Sequence, residues 1–243
     1  MSKKEAKLYG IGVGPGDPDL ITVKAVRILK SVSVIFAASS TKNDYSLARN
    51  IIGKHAPEAT IETLPFPMDN DRVVLQKAWE ENAKTVLKAL SSKGDVAFVT
   101  LGDPMTYSTF SYLLKTVRSI ASQTDVEIIP GITSYQAAAS VANIPLAQGN
   151  QSLVVVSGAK GADKLSQTLN RVDNVVILKT YKYFDKIYET LEELDLLDQS
   201  TFFSKLGLPG EEIIRNVKTL KGATTPYLSL IIVNRNNKQN HDD

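Results

Sequence analysis

Val96-Ala97-Phe98-Val99-Thr100 runs without a break into Leu101-Gly102-Asp103-Pro104. A compact apolar run with a turn signal at each end reads as a strand buried on both faces, the pattern of a central parallel strand. In an open α/β sheet, ligands bind at the carboxyl ends of such strands. Gly102 allows close approach there, Asp103 can accept hydrogen bonds from an amine or a ribose hydroxyl, and Pro104 fixes the turn. Capping of the following helix explains Asp103 equally well.

Working outward, short apolar runs alternate with amphipathic segments along nearly the whole chain, an α/β pattern. Upstream, Lys7–Gly12 reads as a buried first strand, with further strands at 33–37 and 61–64. Helices are predicted over 20–30, 46–53 and 73–90. Downstream, a helix over 108–122 leads to a strand over 126–129, and Ser134 is placed as the N-cap of a helix through Ala142. The domain boundary is placed near here: 1–132 as an N-terminal α/β domain, 133–235 as a C-terminal one, and 236–243 as a polar tail. In the second half, strands are predicted at 153–156, 175–178, 201–204, 213–217 and 228–233, with helices over 163–170 and 185–194. The last three strands follow one another with no helix between them, so part of that sheet must be antiparallel. The N-terminal sheet is expected to be mostly parallel and the C-terminal one mixed.

Composition narrows the function. The 243 residues are 43% hydrophobic and 22% charged, enough to bury a core. Lys plus Arg is 28 against 26 for Asp plus Glu, a balance too even for a protein that coats nucleic acid. The absence of Cys excludes disulfides, thiolate metal sites and cysteine nucleophiles. The two histidines, His55 and His241, are read as solvated, and they are too few for a histidine-rich metal site. No apolar window is long enough for a membrane span, and the polar start is not that of a signal peptide. A cytoplasmic protein is expected.

Two more strings frame the central one. Gly10-Ile11-Gly12-Val13-Gly14-Pro15-Gly16-Asp17 follows the first strand. Its alternate glycines let backbone approach a ligand, although a tight strand-to-helix turn needs no more. The dinucleotide fingerprint fails in both registers, because Pro15 or Asp17 stands where its last glycine belongs. That removes a nicotinamide-dependent oxidoreductase. Pro15 stiffens the turn and lacks an amide, which suits a neutral ligand better than a pyrophosphate. Pro130-Gly131-Ile132-Thr133-Ser134 also follows a strand and offers hydroxyls and amides at a helix start.

In their order, these three strings resemble the tetrapyrrole methylase family, S-adenosylmethionine-dependent enzymes of cobalamin and sirohaem biosynthesis. The resemblance covers residues 7–233. Phe66-Pro67-Met68, Gly102 to Thr109 and Lys179-Thr180-Tyr181 most resemble the precorrin-2 / cobalt-factor II C(20)-methyltransferases of that family. The resemblance implies a two-domain α/β subunit with the cofactor in the interdomain cleft, a homodimer, and no protein-bound metal. Carried over by position, Pro15, Leu101, Gly102, Asp103, Thr106, Thr133 and Ser134 line S-adenosylmethionine. Thr180 or Tyr181, Leu206 and Leu228 match the contacts around its adenine.

A sulfonium methyl is already activated, so the implied chemistry asks chiefly for proximity between donor and carbon. Tyr107 is the candidate for orienting the macrocycle or handling a proton, with simple packing as the alternative. Lys42, Arg49 and Arg72 are candidates for the substrate's carboxylates. Ser39-Ser40-Thr41 departs from the proline-containing segment more usual in relatives. Any cobalt would arrive inside the macrocycle. Methylation at another carbon of a corrinoid or of uroporphyrinogen stays open, as does a non-enzymatic S-adenosylmethionine or tetrapyrrole binding protein. RNA ribose and diphthamide-pathway methylation, which the same fold hosts, fit less well with the charge balance and with the Gly-Pro-Gly-Asp string respectively.

Overall fold

The computed structural model describes residues 6–39, 47–160 and 165–235. The chain divides into two compact units, Met1–Thr133 and Ser134–Asp243.

In the first unit, β1 (Lys7–Gly12), β2 (Val34–Ser39), β3 (Ile61–Pro65), β4 (Val96–Thr100) and β5 (Asp125–Ile129) form one sheet in the order β3-β2-β4-β1-β5. Every pairing in it is parallel. β4 is the central strand, and Val96, Ala97, Phe98 and Val99 are all buried, as an apolar run with helices on both faces requires. Alternate side chains go to opposite faces. Ile11, Ile35, Ala97 and Val99 pack under α1 (Val23–Leu29) and α2 (Leu47–His55). Leu8, Phe36, Val96 and Phe98 pack under α3 (Arg72–Lys93) and α4 (Phe110–Ile120). Gly10 lies on this second face, and the Phe110 ring fills the place of its missing side chain.

This arrangement follows from handedness. The chain leaves β1 for β2 on one side and leaves β4 for β5 on the other, although β1 and β4 are neighbours. Right-handed crossovers then put α1 and α4 on opposite faces. A crevice at the carboxyl ends of β1 and β4 results, the switch point at which open α/β sheets take ligands.

Several local details differ from expectation. The first helix begins at Val23, because Pro18–Leu20 forms a 3-10 turn first and Thr22 Oγ1 then accepts from Ala25 N at 3.2 Å. α4 begins at Phe110 rather than Ser108, whose hydroxyl instead accepts from Phe110 N at 3.1 Å. His55 is not simply solvated. Half-buried at the end of α2, it hydrogen-bonds the Pro18 carbonyl at 2.9 Å and so ties α2 to the turn after β1. His241 lies outside the described residues.

The Phe66-Pro67-Met68 string is held at its start. Phe66 N donates to Ser39 O at 2.8 Å, the Phe66 ring meets Phe98 edge-on at 5.7 Å, and buried Asn82 donates from Nδ2 to Pro65 O at 2.8 Å. Asn82→Leu removes that donor from a buried carbonyl and is expected to destabilise the protein by about 1–3 kcal/mol, read as a lower urea midpoint.

In the second unit, β6 (Leu153–Ser157), β7 (Asn174–Leu178), β8 (Ser200–Ser204), β9 (Glu212–Ile214) and β10 (Ser229–Asn234) order as β6-β7-β10-β8-β9. Only β6 and β7 pair in parallel, so the sheet is mixed. Val176, Leu178, Phe203 and Ile232 pack against α5 (Ser134–Ala142), while Val175, Ile177, Phe202 and Ile231 pack against α6 (Leu165–Leu169) and α7 (Phe184–Glu193). Ser134 is the first residue of α5 rather than its cap. β9 stops at Ile214, because Val217 turns inward, fully buried against Phe202, to open a 3-10 turn. Among the described residues, no helix is long and apolar enough to cross a membrane.

Candidate functional site

The segments leaving β1, β4 and β5 meet at the crevice. Val13 N donates to Thr100 O at 3.0 Å and Gly102 N to Gly14 O at 2.7 Å, a short antiparallel bridge beyond the parallel strands. Gly14 and Gly102 turn there with φ of +87° and +66°, a backbone that only glycine adopts without strain. Gly12 and Gly131 serve closeness instead. A Cβ on Gly131 would overlap the Gly102 carbonyl oxygen and come within 2.8 Å of Gly12 C and Cα. One on Gly12 would come within 2.7 Å of Gly131 N and Cα. The glycines thus admit neighbouring backbone, and the strand ends are locked to one another.

Asp103 completes the lock. Its Oδ2 accepts from Gly131 N at 3.1 Å, and its Oδ1 accepts from Met105 N at 2.9 Å and from Thr106 Oγ1 at 3.4 Å. It does not cap α4, which starts well beyond it. An ionised carboxylate has about four acceptor sites, so these bonds leave capacity for a ligand. Below, Ser108 Oγ donates to Thr100 Oγ1 at 3.0 Å and holds the far end of the loop to β4.

Pro15, Leu101, Gly102, Asp103, Thr106 and Thr133 are all brought to this end of the sheet, with Pro15 and Thr133 buried and the rest half-buried. Ser134 follows directly as the half-buried first residue of α5. Met105 and Tyr107 stand out, 55% and 49% exposed. Tyr107 also has φ +50°, a strained conformation for an aromatic residue of the kind found at ligand-binding loops. Arg49 and Arg72 are exposed, in the first turns of α2 and α3, and so follow the carboxyl ends of β2 and β3 on the same side of the sheet. Lys42, with Ser40 and Thr41, lies outside the described residues.

The second unit has its own gathering. β7 and β8 end where β10, antiparallel between them, begins. The residues just beyond, Lys179, Lys205 and Leu228, have φ of +58°, +50° and +65°. Lys205 N donates to Leu228 O at 3.1 Å, and the buried hydroxyls of Thr180 and Ser229 pair at 2.8 Å. Leu206 is buried, and half-buried Tyr181 meets Tyr227 edge-on at 5.1 Å. Thr180, Tyr181, Leu206 and Leu228 therefore share one end of this sheet. Sequence reasoning quoted Lys179 only within the Lys179-Thr180-Tyr181 string and gave it no role, and it passed over Tyr227, which directly precedes Leu228. It also passed over the locking role of Gly12 and Gly131, for which their place directly after strands was the available signal. Among the described residues, no cluster of His, Asp or Glu is arranged to hold a metal ion.

The model of the tetrapyrrole (corrin/porphyrin) methylases matches residues 7–221. The chain is 36% identical over 231 residues to a cobalt-precorrin-2 C(20)-methyltransferase of Salmonella typhimurium, covering 94% of this chain and 96% of that protein. It is 29% identical over 235 residues to a precorrin-2 C(20)-methyltransferase of Sinorhizobium, covering 93% and 94%. Among solved structures, it superposes on a uroporphyrin-III C-methyltransferase of Thermus thermophilus complexed with S-adenosylhomocysteine. That match has a TM-score of 0.69 at 21% identity, over 94% of this chain and 92% of the other.

Proposed function

This chain belongs to the tetrapyrrole methylases, and from that premise we propose that it transfers a methyl group from S-adenosylmethionine to C(20) of precorrin-2 in its cobalt-loaded form. The observation that carries this reading is the 36% identity, over nearly the full length of both proteins, to a relative named for that reaction. Identity to a relative named for the metal-free pigment is 29% over a similar span, which favours the cobalt complex.

The residues at the crevice fit an adenosyl amino acid. Thr106, Thr133 and Ser134 offer hydroxyls, the turn at Gly102 offers backbone groups, Leu101 and Pro15 offer apolar contact, and Asp103 keeps acceptor capacity. In the second unit, Thr180 or Tyr181, Leu206 and Leu228 supply the contacts for the adenine. When bound, the sulfonium supplies an activated methyl group. The protein's work is then positional. Locked strand ends hold the donor's contacts at fixed spacing, so the approach of the accepting carbon is oriented rather than searched for. Exposed Tyr107 borders the macrocycle, and Arg49 and Arg72, with Lys42, meet its carboxylates, for which guanidinium groups are suited by bidentate geometry. We place the protein in the cytoplasm as a homodimer, the state that the family resemblance implies.

The test is incubation of the purified protein with S-adenosylmethionine and, separately, metal-free and cobalt-loaded precorrin-2, followed by mass spectrometry and NMR of the pigment. One added methyl at C(20), faster on the cobalt form, is the expected result. Methylation of neither pigment, or at another carbon, would overturn it.

A further inference from the structure

The geometry points to an apolar step between α3 and α4 as the surface that seats the pigment's ring system, with Val73 and the stacked pair Trp79 and Tyr112 as its binding residues. This rests on the methyl-transfer reading, which supplies the ligand: a broad apolar ring system with carboxylates at its edge.

α3 and α4 pack on one face of the first sheet, and each begins beyond the carboxyl end of a strand, β3 and β4 respectively. Both therefore start on the side where Gly102 and Asp103 lie. The ring of Trp79, the eighth residue of α3, stacks on that of Tyr112, the third of α4, with centroids 4.5 Å apart and planes 11° apart. The two helices are thus offset by five residues. At about 1.5 Å per residue, α3 projects roughly 7 Å beyond the start of α4. The projecting turns carry Val73 and Val74, 76% and 43% exposed, above a tread formed by the ring pair. Tyr112 is itself 48% exposed, while Trp79 packs against the core and so fixes the ring stacked on it. Large apolar side chains gathered on a surface in this way mark a contact site.

The charges around the step identify the occupant. Arg72 and Lys77 on α3, and Lys115 one turn beyond Tyr112, are exposed and make no ion pair among the described residues. The nearby acids are engaged by local donors. Asp69 Oδ1 accepts from Asp71 N at 2.9 Å, Asp71 Oδ1 from Val73 N at 2.8 Å, and Glu80 Oε1 from Gln76 Nε2 at 3.2 Å. An apolar surface rimmed by unpaired cations complements an apolar ring that carries carboxylates. A second copy of the chain, placed here across a two-fold axis, would set this patch against itself and bring like charges together.

The test uses the full-length protein with Val73→Glu, Tyr112→Ala and Tyr112→Phe. Melting temperature, sedimentation, kcat and KM for cobalt-loaded precorrin-2, and Kd for S-adenosylhomocysteine are measured for each. Val73→Glu keeps the readout independent of folding, because an acid in the first turn of a helix is favourable. Val73→Glu and Tyr112→Ala are expected to raise pigment KM roughly tenfold, the scale of one apolar side chain removed from a contact, with kcat within about threefold. Tyr112→Phe keeps the stack and should stay within about twofold. Kd for S-adenosylhomocysteine should not change in any of them. Brief acetylation, read by mass spectrometry, gives the location without substitution. Bound pigment should protect Lys77 and Lys115 but not Lys84 and Lys88, which are exposed further along α3. Unchanged pigment KM in both Val73→Glu and Tyr112→Ala, a fall in kcat alone, or no protection of Lys77 and Lys115 overturns the proposal. So does protection before pigment is added, with lighter sedimentation of Val73→Glu, which would make the step an interface between copies. Pigment that binds with this protection but is not methylated sinks the methyl-transfer reading and leaves the step standing. Pigment that does not bind at all sinks both.

Discussion

Gly131→Ala is expected to melt roughly 6–12 °C below the unsubstituted protein, the shift that about 3 kcal/mol produces in a chain of this size. The added Cβ would overlap the Gly102 carbonyl oxygen and crowd Gly12 C and Cα, all backbone atoms at the ends of neighbouring strands. No side chain is there to rotate away. Relief requires the β5 segment to withdraw, which stretches the bond from Gly131 N to Asp103 and loosens the site that the three segments build. Binding of S-adenosylhomocysteine, followed by calorimetry, should weaken with the fold. Gly53→Ala is the control: Gly53 is exposed on helix α2, and its Cβ meets nothing within 4 Å. There alanine should stabilise by about 0.5–1 kcal/mol, since it favours helix over glycine. If the two variants melt together, the locking contact does not exist in solution.

Asp103→Ala is expected to lower kcat/KM by roughly a hundredfold or more, the scale on which a misplacement of about 1 Å acts in a positional catalyst. Both Gly131 N and Met105 N lose their acceptor, and each bond to a charged acceptor contributes about 1.5–3 kcal/mol. Asp103→Asn should recover only part of this, because its carbonyl serves one amide while its NH₂ turns a donor toward the other. The measurement that separates a tie between loops from a direct ligand contact is hydrogen exchange at Gly131 and Met105. Faster exchange in Asp103→Ala supports the tie. Lost activity with unchanged exchange would mean that Asp103 acts on the ligand alone.

Most of the architecture was legible because its signals are local. The apolar run at 96–100, bounded by Asp95 and Gly102, reads as a strand covered on both faces, and β4 sits at the centre of its sheet. The succession of strands after Ser200 without an intervening helix required antiparallel pairing, and β8, β9 and β10 pair so. The errors fell at element ends, where a single capping or packing side chain decides. Thr22 caps α1 later than its apolar face suggests, and inward packing of Val217 ends β9 early. His55 read as a surface residue because Pro18, its partner, lies far from it along the chain.

The sequence by itself determined the alternation of strands and helices and the turn chemistry that follows β1, β4 and β5. Burial period and turn preference are properties of a few consecutive residues. Only the tertiary structure decided that Gly12 and Gly131 make room for each other's backbone, and that Asp103 bonds the segment after β5. It alone decided that Lys179, Tyr181 and Tyr227 share one sheet end. These are facts about distances between residues far apart along the chain, set by strand order and crossover handedness, and no local period carries them.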